Sequence, residues 1–414
     1  MSWPMWLFRW SMALLLVAGS GFAVARHVGD TAGGRYGKPE ILKPKGAPRA
    51  MVVMFPDVAA PARARATAQQ LVSKGALVAM IDTSHYLHSV GESTPVDCSR
   101  LADDAERLAK HLLHGTNAGT FQPPLLVGDG TGALLVRQAM ASAPPDLLGG
   151  AVVVGQAPSG YQLACASGAP SQEQGTLTAL SNTTSANQLT QAVTARFPSL
   201  VGLGVAALPL VEMPVPGSHR LAIMISGDGG WRELDKGIAA ELNRQGVSVI
   251  GWNSLRYFWS RHSPQQIADD LARVIDTYQH RWQINDVALV GYSFGADVMP
   301  FAYQRLPQAQ RDQVRLVTLL GLAHGADFKV QIRGWLGLAE DAQVPVLPEL
   351  IKMPPSLLQC INGEEEKDTL CPELATRGVE VFTRPGGHHF DHNPVKLATI
   401  VLQGWQRRTS AMHA

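Results

Sequence analysis

One serine turn constrains the fold of this chain more than any other feature. Residues 287–290 form an apolar run, the next five residues read Gly-Tyr-Ser-Phe-Gly around Ser293, and a helix-compatible segment follows. A strand that ends in a G-x-S-x-G turn and a helix that leaves it are typical of a nucleophile elbow. Gly291 and Gly295 let the two segments cross without a side-chain clash. The pattern predicts that Ser293 is a nucleophile; a passive serine in a glycine-rich turn is the alternative.

The pattern of alternating strands and helices occurs twice in the chain. Residues 51–57 and 222–228 are both apolar runs that end in aspartate, and residues 126–133 repeat the turn with Gly130 in the place of Ser293. The spacing between matched positions varies only by loop-sized amounts, as it would in a duplicated fold. The first copy therefore has the turn without the nucleophile, and we expect it to be non-catalytic.

Both copies alternate short apolar strands with helix-length amphipathic segments, which favours βαβ units around a mainly parallel sheet. We predict the fold class α/β, with an α/β-hydrolase fold at residues 209–414 and a degenerate, partly duplicated α/β domain at residues 26–165. Residues 166–208 are rich in small and polar residues, which indicates a linker or surface segment. In such sheets the functional site lies at the carboxyl ends of the strands.

Residues 1–25 have the features of a cleavable secretory signal peptide. Arg9 supplies a positive charge, residues 12–18 are apolar, and an Ala-Val-Ala sequence that ends at Ala25 has the form of a cleavage site. Cleavage after Ala25 would give an exported protein. An uncleaved N-terminal membrane anchor is the alternative.

The net charge indicates which binding partners to expect, and the cysteine content indicates the redox state of the compartment. The net charge of +1 leaves no electrostatic footprint for nucleic acid, so direct binding of DNA or RNA is not expected. Four cysteines in an exported chain favour disulfides. Of the possible pairings we prefer Cys360 with Cys371 and Cys98 with Cys165, because each pair then lies within one domain. Buried free thiols are the alternative, and the spacings do not indicate a zinc site.

Downstream of Ser293, an acid and a base follow in the chain order of α/β-hydrolases. An apolar strand ends at Gly363, and the loop after it is rich in carboxylates. We choose Asp368 as the acid because it stands four residues before Pro372, a spacing familiar from hydrolase acid loops. Glu366, three residues after Gly363, is the alternative. Most of the remaining carboxylates are best explained as a solvated charge run.

A glycine-rich loop after the last strand supplies the base. The loop runs from Pro385 through two glycines to His388 and His389. The two histidines cannot both face Ser293: the preceding glycines favour His388, and the spacing from Pro385 allows His389. Metal binding by a histidine-rich loop is the alternative. The sequence offers no further convergent ligands, so we expect neither a metal nor another cofactor.

An oxyanion hole needs two backbone N–H groups. Phe294 supplies one because it directly follows the serine. The glycine-rich sequence at residues 226–231 follows a strand of the second copy and offers Asp228 N–H as the other donor. Asp228, Gly229 and Trp231 are then expected to contact substrate. A tight turn that needs glycine only for its backbone is the alternative, and a nucleotide-phosphate loop would require a Walker lysine that this sequence lacks.

Four motifs in this order resemble those of the bacterial VirJ/AcvB virulence-protein family. They are Gly-Asp-Gly-Gly-Trp at 227–231, Gly-Tyr-Ser-Phe-Gly-Ala-Asp at 291–297, the cysteine-bounded acidic loop at 360–371 and Pro-Gly-Gly-His-His-Phe-Asp at 385–391. The resemblance covers residues 210–410. The longer AcvB form, with an extra N-terminal domain, is similar in length and in its duplication.

The resemblance implies a periplasmic serine hydrolase that cleaves the aminoacyl ester of lysyl-phosphatidylglycerol, with Ser293 at the nucleophile position. It also implies an aminoacylated phospholipid at the membrane surface as the substrate, and a link to virulence and type IV secretion components. Two other functions stay open: a secretion-system adaptor that uses a hydrolase fold as a binding module, and a generic esterase or thioesterase. An apolar wall or a membrane-facing lip is one explanation, and ordinary packing the other, for Trp252, Tyr257, Phe258 and Trp259.

Overall fold

The computed structural model describes residues 34–91, 99–114, 116, 118–144, 147–155, 177–197, 204–330 and 343–410. Residues 1–25, Cys98 and Cys165 lie outside these ranges. The signal peptide and the disulfide between Cys98 and Cys165 therefore stay predictions.

The N-terminal domain is built on a mainly parallel sheet. Its six described strands follow the order β1-β3-β2-β4-β5-β6, and only the β1–β3 pair is antiparallel. Strands β2, β4 and β5 are buried along their whole length, as apolar strands are when helices cover both faces of a sheet. The strands are β1 (Glu40–Leu42), β2 (Ala50–Phe55), β3 (Ala76–Met80), β4 (Leu125–Asp129), β5 (Ala151–Val154) and β6 (Leu177–Leu180). The described helices of this domain are α1 (Pro61–Ser73), α2 (Thr83–Gly91), α3 (Ser99–His114), α4 (Thr131–Ser142) and α5 (Ala186–Thr194).

The segment predicted as a linker contains part of this domain. Strand β6 pairs in parallel with β5, and helix α5 begins with a capping box at Ser185. Of the two interpretations of residues 166–208, a linker or a surface segment, the linker is wrong for residues 177–197, and the N-terminal domain extends beyond residue 165. The polar composition misled because β6 is an edge strand, with none of its residues fully buried.

The C-terminal domain has a second, larger sheet. Its seven described strands follow the order β15-β14-β11-β10-β8-β9-β7, and only the β7–β9 pair is antiparallel. The strands are β7 (Leu210–Met213), β8 (Arg220–Ile225), β9 (Ser248–Trp252), β10 (Asp286–Tyr292), β11 (Val314–Leu320), β14 (Leu358–Gly363) and β15 (Glu380–Arg384). A separate antiparallel pair consists of β12 (Gly325–Ala326) and β13 (Val344–Pro345).

Helices cover both faces of this sheet, and two core clusters lie between the helices and the strands. The longest, α8, begins with a capping box at Ser263 and a proline at its first position, both strong start signals. The described helices of this domain are α6 (Glu233–Arg244), α7 (Ser254–Tyr257), α8 (Pro264–Trp282), α9 (Phe294–Arg305), α10 (Gln308–Arg311), α11 (Leu347–Leu350), α12 (Cys371–Ala375) and α13 (Pro394–Ser410). Within the described ranges, no helix combines the length and the apolar character needed to cross a membrane.

The two sheets share one strand order. In each sheet, the strand that comes first in the chain lies at one edge and pairs antiparallel with the strand that comes third. The other neighbouring strands are parallel, and they lie in the same spatial order in both sheets. The N-terminal sheet stops at β6, which corresponds to β14, so its described strands include no counterpart of β15. The histidine loop follows β15 in the C-terminal domain. The first copy therefore differs from the second in a strand as well as in the serine.

The domains contact each other directly. The rings of Phe121 and Trp259 lie 5.2 Å apart, and the Thr120 hydroxyl donates a hydrogen bond to the Arg256 carbonyl at 2.7 Å. One apolar cluster continues across this contact from the first sheet to the second. The rings of Phe121 and Trp259 are buried at this interface, so the hydrophobic cores of the two domains are continuous.

Candidate active site

Ser293 lies at the sharp turn between β10 and α9. Its backbone has φ 52° and ψ −120°, a conformation that L-residues other than glycine rarely adopt. A Cβ on Gly291 would lie 2.5 Å from the Gly295 carbonyl oxygen, and one on Gly295 would lie 2.1 Å from the Ile225 carbonyl oxygen. The two backbone segments approach so closely that both positions require glycine. The sharp turn between them places Ser293 at the carboxyl edge of the sheet.

Three side chains from three loops form a continuous hydrogen-bonded chain. His388 Nε2 lies 2.7 Å from Ser293 Oγ, and His388 Nδ1 lies 2.5 Å from Glu366 Oε1. The other oxygen of Glu366 accepts a hydrogen bond from the Gly363 N–H at 2.7 Å. The loops follow β10, β14 and β15, so the sheet brings the groups together at one edge.

The chain of hydrogen bonds assigns the proton positions on the imidazole. A carboxylate can only accept, so His388 Nδ1 carries the hydrogen that faces Glu366, and Nε2 of the neutral ring accepts from the Ser293 hydroxyl. The hydrogen bond with Glu366 raises the pKa of His388, and burial opposes it. The Glu366 side chain is only 6% exposed, so its charge acts on the imidazole with little screening by water. The arrangement can deprotonate a serine hydroxyl.

Gly321 makes room for the imidazole, and the sequence reasoning missed it. It follows β11 with φ +63°, and a Cβ there would lie 2.7 Å from His388 Cε1. The only available signal was a glycine directly after an apolar strand end, which is common in loops of this fold class.

The acid chosen from the sequence is not the one that faces the histidine. The Asp368 carboxylate contacts His324 Nδ1, and both side chains are mostly exposed. Glu366, the alternative, occupies the position beside His388. Spacing from Pro372 selected the wrong carboxylate. The local hydrogen bond from the Gly363 N–H turns Glu366 inward, and the contact with His388, 22 residues further along the chain, is visible only in the fold.

His389 points away from the serine. Its Nδ1 lies 2.9 Å from the Tyr292 hydroxyl, and its ring stacks on His392. Burial and the neighbouring histidines lower the pKa of His389, whereas the pKa of His388 is raised. Of the two candidates left open by the sequence, the geometry selects His388. Among the described residues no group of three or more His, Cys, Asp or Glu side chains could hold a metal.

A disulfide brackets the acid loop. Cys360 in β14 is bonded to Cys371 at the start of α12, 11 positions further along the chain. Both cysteines are fully buried, and Glu366 lies in the loop between them. The bond therefore limits the freedom of the segment that presents the carboxylate.

The loop predicted to form the oxyanion hole passes directly beside the serine. A Cβ on Gly227 would lie 3.6 Å from the Ser293 Cβ, and the Gly230 N–H donates to the Gly227 carbonyl at 3.0 Å in a tight turn. Phe294 is the first residue of α9, so its N–H has no acceptor within the helix. Asp228 is half-buried, and its charge acts on His388. Its assignment as the second donor, and that of Gly229 as a substrate contact, stay proposals.

Burial contradicts one aromatic assignment and decides between two explanations that the sequence left open for four other aromatic residues. Trp231 is 5% exposed, and its indole lies where a Cβ on Gly251 would meet it at 2.4 Å, so it packs into the core and does not face substrate. The aromatic residues considered as a membrane-facing wall are also buried, and they pack against one another and against Phe121 of the other domain. Packing, the alternative reading, explains Trp252, Tyr257, Phe258 and Trp259.

Two buried carboxylates close to the site escaped the sequence reasoning. Asp297, one turn into α9, accepts from the Ala323 N–H at 2.9 Å, and burial raises its pKa to about 8. Asp235, at the start of α6, accepts from the Arg232 N–H at 3.3 Å, and burial raises its pKa to about 7. Both side chains tie a loop beside the serine to a helix. Their position at the first turn of a helix was the only signal in the sequence.

The elbow, the sheet and the Ser293–His388–Glu366 hydrogen-bonded chain define a protein with an α/β-hydrolase fold. Residues 219–409 match a protein family described as "Bacterial virulence protein (VirJ)". The matched region contains the whole candidate site, so the C-terminal part of this chain is similar to the VirJ family. No curated protein matches the chain.

Several solved structures are similar to about half of the chain. Est1E from Butyrivibrio proteoclasticus, with bound ferulic acid, is 16% identical and matches 49% of this chain and 96% of its own, with a TM-score of 0.35. A putative α/β-hydrolase of unknown function from Agrobacterium tumefaciens is 16% identical and matches 52% and 97%, with a TM-score of 0.36. A lidless α/β serine hydrolase from Xanthomonas campestris is 15% identical and matches 51% and 97%, with a TM-score of 0.33.

Proposed function

We propose that this protein is a periplasmic serine hydrolase that cleaves the aminoacyl ester of lysyl-phosphatidylglycerol. The observation that carries the hydrolase assignment is the hydrogen-bonded chain from Ser293 Oγ through His388 to Glu366. The choice of substrate rests on the resemblance of the four motifs to the VirJ/AcvB family. The Cys360–Cys371 disulfide supports an oxidising compartment such as the periplasm.

The proposed reaction begins with acylation of the serine. Ser293 Oγ attacks the carbonyl carbon of the ester while its proton passes to His388 Nε2. Glu366 stabilises the imidazolium that forms, because its carboxylate accepts from Nδ1. The N–H groups of Phe294 and Asp228 stabilise the negative charge on the carbonyl oxygen. The intermediate then breaks the bond to the glycerol oxygen, which takes the proton from His388 and leaves as phosphatidylglycerol.

Water completes the cycle. His388 Nε2 takes a proton from a water molecule, whose oxygen attacks the lysyl ester on Ser293. When the second intermediate breaks down, the lysine carboxylate leaves and Ser293 Oγ recovers its proton. One ester and one water are consumed, and lysine and phosphatidylglycerol are formed. No metal or other cofactor is invoked at any step.

The charge of the site fits a cationic acyl group. A lysyl ester carries two ammonium groups, and Asp228 lies close enough to the reacting imidazole to act on it electrostatically. Glu364 and Glu365 are exposed in the loop that carries Glu366. These carboxylates would attract a positively charged lipid head group to the site mouth.

The test uses vesicles that contain lysyl-phosphatidylglycerol. The wild type, Ser293→Ala and a control, Ser73→Ala on the exposed face of α1, are incubated with the vesicles, and free lysine is measured by mass spectrometry. We expect release by the wild type and the control only. Release by Ser293→Ala would contradict the nucleophile assignment.

Two further outcomes separate the other functions. If the wild type releases no lysine but hydrolyses a neutral p-nitrophenyl ester, a generic esterase or thioesterase is the better description. If it is inert towards every ester yet binds type IV secretion components, the hydrolase fold serves as a binding module.

A further inference from the structure

An ion pair joins the N-terminal domain to the segment that follows the oxyanion loop of the other domain. Arg232, directly after this loop, lies with Nη2 2.5 Å from both carboxylate oxygens of Glu106. Glu106 belongs to α3 of the N-terminal domain, and its side chain is 10% exposed. The same guanidinium donates from Nε to the Gly229 carbonyl at 3.1 Å. One arginine thus joins a buried carboxylate of the first domain to the backbone of the loop beside Ser293.

The loop needs support because its glycine-rich sequence restricts the backbone little. Residues 227–230 include three glycines, which have more backbone freedom than any other residue. An oxyanion hole works only when its N–H groups are already aimed at the developing charge. Inside the loop, the turn from Gly230 N–H to Gly227 carbonyl gives one restraint. The Arg232 contact with Gly229 gives another, and Glu106 holds the guanidinium in place.

The Glu106 carboxylate lies between two cationic side chains, those of Arg232 and Lys110. Lys110 Nζ, one turn further along α3, lies 3.3 Å from Glu106 Oε2. Burial lowers the pKa of Lys110, and its ammonium also interacts with Asp228 in the loop. Glu106 therefore offsets two cations that both act on residues 228–232. Asp103 on the same helix is also near, because its carboxyl interacts with Glu106 and Arg232.

We propose that Glu106 is a positioning residue for the oxyanion hole, and that the N-terminal domain is a working part of the active site. This proposal rests on the proposed hydrolase function. Glu106 acts through Arg232 on the Gly229 carbonyl, and so on the direction of the neighbouring Asp228 N–H. The domain that lost its own serine thus holds the loop with which the other domain stabilises the transition state.

The test compares two interface variants in the full-length protein. Glu106→Gln weakens the hold on Arg232, whereas Thr120→Val removes an interdomain hydrogen bond to the Arg256 carbonyl that does not involve the loop. Hydrolysis of a p-nitrophenyl ester gives kcat and KM, and a boronic acid that mimics the tetrahedral intermediate gives a binding constant. We expect Glu106→Gln to lower kcat and boronate affinity in parallel, about 10- to 100-fold, with KM nearly unchanged. Thr120→Val should change neither by more than about twofold.

A double-mutant cycle keeps the proposal testable if Glu106→Gln folds poorly. Glu106→Gln, Arg232→Gln and the double variant are compared, each after a check of its near-UV circular dichroism. If Glu106 acts through Arg232, Glu106→Gln has no further effect on kcat in the Arg232→Gln background. Additive losses, or equal losses for Glu106→Gln and Thr120→Val, would overturn the proposal.

The two proposals fail in different ways. If the wild type neither hydrolyses esters nor reacts with a fluorophosphonate at Ser293, the hydrolase function fails and this inference fails with it. If the wild type reacts and Glu106→Gln matches it in kcat and boronate affinity, only the role of Glu106 is overturned.

Discussion

Ser293 and Gly130 have almost the same backbone conformation, φ 52° with ψ −120° and φ 51° with ψ −114°. The surrounding contacts also match. A Cβ on Gly128 would lie 2.6 Å from the Gly132 carbonyl oxygen, just as Gly291 lies against Gly295. The first domain has therefore kept the elbow and has a glycine where L-residues are strained. The second domain keeps a serine there despite the strain, which is expected when the side chain has a function.

The strain at Ser293 leads to a prediction about stability. Ser293→Gly and Ser293→Ala should both be inactive, but only glycine relieves the positive φ. We expect Ser293→Gly to be more stable than Ser293→Ala by about 1 kcal/mol, measured by urea unfolding. The alanine variant is the matched control, because it removes the hydroxyl and keeps the strained Cβ. Equal midpoints for the two variants would show that the elbow stores no strain.

The two candidate acids can be separated by paired substitutions. Glu366→Gln keeps the shape of the side chain but removes the charge that supports the imidazolium, so kcat should fall by about 10³- to 10⁴-fold. Asp368→Asn should change kcat by less than about threefold, because Asp368 contacts His324 and not His388. The rates of ester hydrolysis and the melting temperatures of both variants check this. A large loss for Asp368→Asn with little loss for Glu366→Gln would restore the choice made from the sequence.

Most of the site follows from the sequence because each group directly follows a strand. The serine, the histidine loop and the acid loop all lie at strand ends of a parallel sheet, which places them at one edge without any knowledge of tertiary contacts. The choice between Glu366 and Asp368 could not be made this way. Both residues lie in one loop after β14, and the contact of Glu366 with His388, 22 residues further along the chain, is visible only in the fold.

The errors in the fold have similar causes. Polar composition suggested a linker where β6 forms the edge of the first sheet and α5 packs against that sheet, because serine, threonine and asparagine fill the turn between them. Trp231 stands in a glycine-rich loop, and only its close approach to Gly251 shows that it points into the core. The pair of Glu106 and Arg232 joins residues far apart in the chain, and nothing local to either residue indicates it.

Asp228 provides a test of substrate charge. Asp228→Asn keeps the backbone N–H, so the proposed oxyanion donor remains, and removes one negative charge beside the site. The ammonium of Lys110 already offsets part of that charge, so the effect should be moderate. We expect kcat/KM to fall by about three- to tenfold more for a lysyl ester than for a neutral ester of the same alcohol. Equal losses on both esters would remove Asp228 from the recognition of the lysyl group.

The disulfide should affect both stability and activity. Replacing Cys360 and Cys371 together by serine frees the loop that carries Glu366, and we expect a loss of about 2–3 kcal/mol in the free energy of unfolding. The kcat should also fall, because Glu366 would spend less time beside His388. Urea unfolding and ester hydrolysis measure the two effects. An unchanged kcat would mean that the hydrogen bond to Gly363 alone is enough to hold the acid.

The pH dependence of the reaction tests the pairing of His388 with Glu366. His388 acts as a base only when neutral, so kcat/KM should rise with pH through the pKa of the free enzyme. The hydrogen bond with Glu366 raises that pKa, so the midpoint should lie above about 6.5, the ordinary value for histidine. In Glu366→Gln the midpoint should move to lower pH. Asp368→Asn should leave it in place, and Asp297→Asn controls for the second carboxyl that acts on His388.

The stabilisation of the fold by the His388–Glu366 pair should decrease as the pH rises, whereas kcat/KM should increase. A raised pKa in the folded state means that the native protein holds the proton more tightly than the unfolded chain does. The stabilisation from the His388–Glu366 pair is therefore complete below the unfolded pKa and is lost as the pH rises through the folded pKa. The difference in unfolding free energy between the wild type and Glu366→Gln should be larger at pH 5.5 than at pH 8.5, measured by urea unfolding. A difference that grows with pH would contradict the contact between His388 and Glu366, because an anionic partner can only favour the protonated imidazole.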